Sequence, residues 1–135
     1  MEPKDLIKEY NQKIAFKGAS DVAKEMKDLK DWNKEVFIVF CLNTKNQIIS
    51  REIVGIGTLN SAVVHAREVF RTAILKNSNA IIIGHNHPSG DPTPSPEDKE
   101  ITNKLREAGQ ILGIKLLDHV IIGGDTKYWS YNEEA

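Results

Sequence analysis

Two short apolar segments, EVFIVFCLN (35–43) and AIIIGH (80–85), constrain the fold of this chain more than any other feature of the sequence. Both are dominated by β-branched and aromatic side chains, which pack well in strands. We therefore predict a buried strand at each segment, the second of them at the centre of a sheet. The longest apolar run, VFIVFCL (36–42), is far too short to span a bilayer as a helix.

Three amphipathic segments predict helices that flank this sheet. The first, SDVAKEMKDL, begins with capping residue types and predicts a short helix over 20–30. The second predicted helix covers 61–77, and the third covers 96–113, with Ser95 as its N-cap and Gly113 as its stop. The apolar faces predicted to be buried are Val63, Ala66, Phe70 and Ile74 in the second helix and Ile101, Leu105, Ala108 and Leu112 in the third.

The remaining strands complete an α/β pattern. IISREIVGIGTL (48–59) follows the first strand after the turn NTKNQ and predicts a hairpin. KLLDHVIIGG (115–124) predicts another strand, and YWSYN (128–132) predicts an edge strand. The order α-β-β-α-β-α-β predicts an α/β fold with a single mixed-sheet domain. We assign residues 19–135 to this domain and residues 1–18 to a polar N-terminal arm.

Composition narrows the function classes. The 135 residues fit one domain, and the formal net charge of -1 argues against strong non-specific binding to nucleic acid, which needs a basic face. Cys41 is the only cysteine in the sequence, so no disulfide can form within the chain. The start, MEPKDLIKEYNQK, is charged and lacks the apolar core of a signal peptide. We expect a cytoplasmic protein without membrane contact.

The stretch HNHPSGDPTPSPED (85–98) carries the candidate chemistry. Side chains alternate along a strand, so His85 and His87 at the end of a strand point to the same face. Prolines stiffen the chain that follows, and Asp98 lies in the first turn of the next helix, where it can face the strand end. Zinc binds imidazole nitrogen and carboxylate oxygen, and three protein ligands with an open position are typical of catalytic zinc sites.

A structural explanation covers part of the same stretch. SPED (95–98) fits a capping box, in which Ser95 and Asp98 satisfy backbone groups at the start of the helix. Capping explains neither histidine, so the pattern alone leaves a metal site and a capped turn open. A hydrolytic zinc site also needs a base. Glu35, at the start of a buried strand, is the best-placed glutamate, although on position alone it fits a solvated strand start better.

Taken together, Glu35, HNHP (85–88) and SPED (95–98) resemble the JAMM motif of MPN (JAB) domain metallopeptidases. The strings GTLNSAVVHAREVFRTAI, HNHPSGDPTPSPED and LLDHVIIGG more closely resemble the bacterial RadC family, over about residues 33–131. This resemblance implies an MPN/JAB-like fold with an architecture similar to that of cytidine deaminases.

The resemblance also implies a role for each candidate residue. His85, His87 and Asp98 would bind Zn²⁺. Glu35 would act as the general base and then as the general acid. Ser95 would help to hold the metal water or the developing oxyanion, a role compatible with capping. The implied function is zinc-dependent hydrolysis of a peptide or isopeptide bond in a peptide or protein substrate.

Three other function classes are open to this sequence. The RadC resemblance suggests a nucleic-acid-processing or DNA-repair module, but longer members carry an N-terminal helix-hairpin-helix region, which this chain is too short to contain. A zinc deaminase needs a Cys-x-x-Cys pair, which a single cysteine excludes. A non-catalytic MPN binding module typically lacks the ligands that are all present here. Asp118 and His119 could hydrogen-bond to a ligand histidine, but we expect a satisfied structural pair.

Overall fold

The computed structural model describes residues 2–57, 63–125 and 127–134. Within these residues the strands are β1 Lys8–Ala15, β2 Val36–Leu42, β3 Gln47–Ile56, β4 Ala80–Asn86, β5 Lys115–Ile122 and β6 Tyr128–Ser130. The α-helices of the same residues are α1 Ala19–Lys24, α2 Ala66–Leu75, α3 Pro96–Leu112 and α4 Tyr131–Glu134. Across the described parts of the chain, no helix combines the length and the apolar character needed to cross a membrane.

The strands form one six-stranded sheet with the order β1-β3-β2-β4-β5-β6. β4 and β5 are parallel, and the other neighbouring strands are antiparallel. The predicted α/β fold with a single mixed sheet is therefore confirmed. The parallel pair is connected by α3, which brings the end of β4 and the start of α3 to the same edge of the sheet.

The two central strands explain why their sequences are apolar throughout. Every residue of β2 and β4 is buried. Side chains alternate between the two faces of a strand, so such a strand needs apolar cover on both sides. On one face, Ile38 and Phe40 pack in a core that includes α1 residues. On the other face, Phe37 and Val39 pack with residues of α2 and α3. The predictions of buried strands and of a central β4 are confirmed.

Helix α3 begins and ends where the sequence predicts. Ser95 is its N-cap, and Gly113 follows it in the left-handed conformation with φ 74°. The left-handed conformation carries little energetic cost for glycine, so the helix can end at this position. Ile101 and Leu105 are buried as predicted, whereas Leu112 is largely exposed.

The predicted buried face of the second helix was wrong in part. The described residues of α2 bury Val69, Phe70 and Ala73, while Val63 and Ile74 are 52% and 54% exposed. The helix is rotated so that the face containing Val69 and Ala73 packs on the sheet. Residues 61–62 of the predicted helix lie outside the described residues.

The N-terminal segment, predicted as an arm, contributes to the sheet. Residues of β1 pair antiparallel with β3 and form one edge of the sheet. Most positions of β1 are exposed, so its sequence carries no apolar signal for a strand. Ahead of it, the buried Leu6 offers its carbonyl to Arg51 Nε at 2.7 Å. The division of the chain at residue 18 stays a prediction.

Candidate metal centre

His85 and His87 lie at the carboxyl end of β4. His85 is buried within the strand, and the backbone amide of His87 continues the pairing by donating to Ile122 O at 2.9 Å. The two side chains share one face of the sheet, as the alternation of a strand predicts. Their Nε2 atoms lie 3.1 Å apart. The Phe37 ring stacks on His85 with its centroid 5.6 Å away and fills the space on the β2 side.

Asp98 joins the two histidines from the first turn of α3. Its Oδ1 lies 3.2 Å from His85 Nε2, and its Oδ2 lies 3.2 Å from His87 Nε2. One ligand atom from each residue falls within 4.8 Å of the others. The structure thus brings together the three predicted ligands in a group that could hold a metal ion.

The hydrogen bond at Nδ1 of His87 indicates the state of the other ring nitrogen, Nε2. His87 Nδ1 lies 2.9 Å from the carbonyl oxygen of Asp91. A carbonyl only accepts, so Nδ1 carries the proton, and in the neutral ring Nε2 keeps a lone pair. Nε2 faces the Asp98 carboxylate and His85, a second imidazole: when protonated it donates to Asp98, and when deprotonated it offers its lone pair to a cation. Two imidazole nitrogens and a carboxylate are donors that zinc accepts, so these residues fit a metal ion.

The charges in this group are strongly coupled. The hydrogen bond with Asp98 raises the pKa of His87, and burial opposes that increase while the charges of Asp98 and Glu35 add to it. Burial disfavours the Asp98 carboxylate, but the hydrogen bonds with His85 and His87 outweigh it and hold the pKa of Asp98 well below its usual range. Asp98 is therefore an anion at neutral pH and suited to bind a cation.

Ser95 caps the helix and still has a hydroxyl proton that the capping box does not use. Its Oγ accepts the Asp98 amide at 3.1 Å, and its own amide donates to Asp98 Oδ2 at 2.8 Å. These two bonds are the predicted capping box. Because the hydroxyl accepts in this box, its proton remains available to donate to another group. The capping explanation and a function at the metal centre are thus structurally compatible.

Glu35 reaches the site through strand pairing. It precedes β2, in which Phe37 is the partner of His85 on β4. Antiparallel pairing therefore places Glu35 beside His87, in agreement with its effect on the pKa of that residue. Glu35 is half-buried, and its carbonyl accepts the Gly57 amide at 2.8 Å.

Asn86, between the two histidines, faces the opposite side of the sheet and holds the segment that carries Glu35. Its Oδ1 accepts the Val36 amide at 2.7 Å. Its Nδ2 donates to the carbonyls of Lys34 at 3.0 Å and Leu29 at 3.2 Å. These bonds fix the backbone on both sides of Glu35. Sequence analysis missed this function, because strand alternation predicts the face on which Asn86 lies but not the backbone groups that it meets there.

The loop after His87 is held by the turn after β5. Gly90 N donates to His87 O at 2.9 Å, and Gly90 O accepts the Gly124 amide at 2.8 Å. The loop and the turn approach so closely that a Cβ on Gly123 would lie 2.3 Å from Gly90 O. The glycine pair of the predicted segment 115–124 therefore shapes the loop that follows His87.

Gly123→Ala is expected to displace this loop and with it His87. The added methyl would also lie 2.8 Å from Pro92 Cδ, and overpacking of this kind costs about 1–3 kcal/mol of folding free energy. Urea unfolding should show the lower stability, and zinc titration should show weaker zinc binding. Gly124→Ala is the matched control, since its Cβ would make contacts with Gly90 of 3.7 Å or more. Equal stability of the two variants would contradict the prediction.

Sequence analysis favoured a structural role for His119 and gave no role to Thr102, but both lie at the candidate metal centre. His119 on β5 contacts His85 at 3.0 Å and Thr102 on α3 at 2.6 Å. Of the two residues predicted to form a structural pair, only Asp118 has that role: it accepts from Ser130 Oγ at 2.6 Å and from the His119 amide at 2.8 Å. Burial raises the pKa of Asp118 and lowers that of His119. Strand alternation could have predicted different roles for Asp118 and His119, because neighbouring side chains of β5 face opposite sides of the sheet.

A family model for the RadC-like JAB domain matches residues 16–135. The chain belongs to this family. One RadC-like relative, a UPF0758 protein from Staphylococcus haemolyticus, is 53% identical over 129 residues, which cover 95% of this chain and 56% of the relative. A UPF0758 protein from Desulforamulus reducens is 56% identical over 110 residues, which cover 82% of this chain and 48% of the relative.

The match confirms the family indicated by the sequence motifs. The five candidate residues all lie within the part of the chain matched by the RadC-like JAB model. The chain spans about half the length of the curated relatives it matches. Their shared name, UPF0758, states no activity, so the chemistry of this JAB domain has to be inferred from its site.

Proposed function

We propose that this JAB domain is a zinc-dependent hydrolase of the JAMM type, a metallopeptidase or isopeptidase that acts on a peptide or protein substrate. The observation that carries the proposal is the convergence of His85 Nε2, His87 Nε2 and the Asp98 carboxylate within 4.8 Å. Zinc, when bound there, supplies a Lewis acid and lowers the pKa of a bound water to ~7.

Glu35 is the general base and acid of the proposed reaction. The pairing of Phe37 with His85 supports this role, because antiparallel pairing continued by two residues sets Glu35 opposite His87. It accepts a proton from the attacking water and delivers it to the nitrogen of the leaving amine. The bonds from Asn86 to the neighbouring backbone hold this glutamate segment in position.

Ser95 stabilises the oxyanion in this proposal. Its Oγ accepts the amide of Asp98, which leaves the hydroxyl proton free to donate. A donor that the helix start already holds in place needs little rearrangement when negative charge develops on the substrate oxygen. The same contact ties Ser95 to the residue that would bind the metal.

Glu35→Gln is expected to retain zinc and lose hydrolysis. The amide cannot take up the proton, and general acid–base catalysis contributes roughly 10²–10⁴-fold to a rate. The measurement pairs zinc content by elemental analysis with turnover on a panel of fluorogenic peptides and isopeptide-linked conjugates. The control is Glu52→Gln, a half-buried glutamate on β3 whose carboxylate is 3.9 Å from Lys76 Nζ.

The two readouts of this experiment separate the parts of the proposal. About one zinc per chain in the wild-type protein supports the metal centre. A wild-type protein without zinc, even after zinc is offered, would refute it. Unchanged turnover in Glu35→Gln, with the metal present, would remove Glu35 as the base and leave the metal centre standing.

A further inference from the structure

A line of buried hydrogen bonds runs from the backbone of α3 to the ring of His85. Thr102 Oγ1 donates to Asp98 O at 2.9 Å, and the same oxygen lies 2.6 Å from His119 Nδ1. His119 Nε2 lies 3.0 Å from His85 Nδ1. Thr102, His119 and His85 are at most 1% exposed, so water does not compete for these bonds.

The direction of every bond in this line follows from its first member. The Asp98 carbonyl can only accept, so the single hydroxyl proton of Thr102 is used there. Thr102 Oγ1 must then accept from His119, which places the imidazole proton of His119 on Nδ1. With its proton on Nδ1, the neutral His119 ring has an acceptor at Nε2, and His85 Nδ1 donates the proton of the 3.0 Å contact between them. A neutral His85 ring is then left with a lone pair on Nε2.

We propose that Thr102 and His119 are positioning residues that set the tautomer of His85 and direct its Nε2 lone pair to the metal. This inference rests on the proposed metal centre. It gives His85 the same arrangement as His87, whose Nδ1 donates to the Asp91 carbonyl. The difference is that a buried imidazole, rather than a backbone carbonyl, fixes the orientation of His85.

The surroundings of His119 hold its ring in place. On β5 it is the parallel partner of Ile83, which puts its side chain on the same face as that of His85. The ring is flanked edge-on by Phe37, with centroids 5.9 Å apart, and by Trp129, with centroids 5.8 Å apart. An imidazole with both nitrogens bonded and aromatic rings on its flanks has little freedom to turn.

The matched variants Thr102→Val and Thr102→Ser test the proposal. Valine keeps the shape but removes the hydroxyl, and serine keeps the hydroxyl. Zinc affinity, measured by competition with a chelating indicator, should fall about 10–100-fold in Thr102→Val, the usual effect of losing a hydrogen-bonding partner of a metal ligand. In Thr102→Ser it should stay within about threefold of the wild-type value. Equal affinities for the two variants would overturn the proposal.

A second measurement needs neither a variant nor a metal. Long-range ¹⁵N–¹H correlation spectra of the imidazoles in the metal-free wild-type protein should show His85 and His119 both protonated at Nδ1. Protonation of His119 at Nε2 would overturn the proposal. If the wild-type protein binds no zinc, the proposed function fails, while these spectra still decide whether Thr102 and His119 set the tautomer.

Discussion

Asp98→Ala is expected to abolish stoichiometric zinc binding. The substitution removes one of three predicted ligands and the negative charge that lies 3.2 Å from both imidazoles. Loss of an outer partner of a ligand already weakens metal binding about 10–100-fold, so loss of a ligand itself should exceed that range. Elemental analysis of protein purified without chelator, followed by zinc titration, measures the effect.

Asp98→Asn and Glu97→Ala show whether the loss comes from the metal centre or from the capping box. Asparagine keeps an oxygen to accept the Ser95 amide, but it lacks the charge. Glu97 lies in the same helical turn and is exposed, so Glu97→Ala removes an equal charge away from the site. We expect weak zinc binding in Asp98→Asn and wild-type binding in Glu97→Ala. Wild-type affinity in Asp98→Asn would mean that Asp98 acts as a cap alone.

Asn86→Ala is expected to destabilise the protein and to displace Glu35. The variant leaves the Val36 amide and the Lys34 carbonyl without the partners they have in the structure. Each unsatisfied buried group costs about 1–3 kcal/mol, so two of them should lower the free energy of unfolding by roughly 2–6 kcal/mol. Urea unfolding of the metal-free protein measures this loss directly.

The position of Asn86 makes its effect on activity distinct from its effect on the metal. Its side chain faces away from the ligands, so the folded fraction of Asn86→Ala should still bind zinc, while its turnover should fall with the displacement of Glu35. Asn103→Ala, an exposed position on α3, is the control and should leave stability nearly unchanged. A stability loss below about 1 kcal/mol in Asn86→Ala would show that other groups or water replace these bonds.

The candidate ligands could be predicted because local rules place them. His85 and His87 follow an apolar strand, and the alternation of a strand fixes their common face. Asp98 follows the N-cap Ser95, and capping chemistry fixes where the helix starts. A proline-rich loop joins the two elements within a short stretch, so no long-range pairing had to be guessed.

The residues that support the ligands depend on tertiary pairing, and sequence reasoning missed them for that reason. Asn86 acts on backbone groups far away in the sequence, including the Leu29 carbonyl. The contact of His119 with His85 requires the register of β4 with β5. The strand β1 has mostly exposed positions, so only its pairing with β3 defines it.

The parallel β4–α3–β5 arrangement divides the candidate site into two parts that come from different regions of the chain. One continuous unit, Ala80–Ile122, contains the candidate ligands His85, His87 and Asp98 together with Ser95 and the Thr102–His119 pair. Glu35 comes from β2, which joins this unit only across an antiparallel ladder. A change that separated β2 from β4 would move Glu35 away from the candidate metal centre, while His85, His87 and Asp98 would stay together.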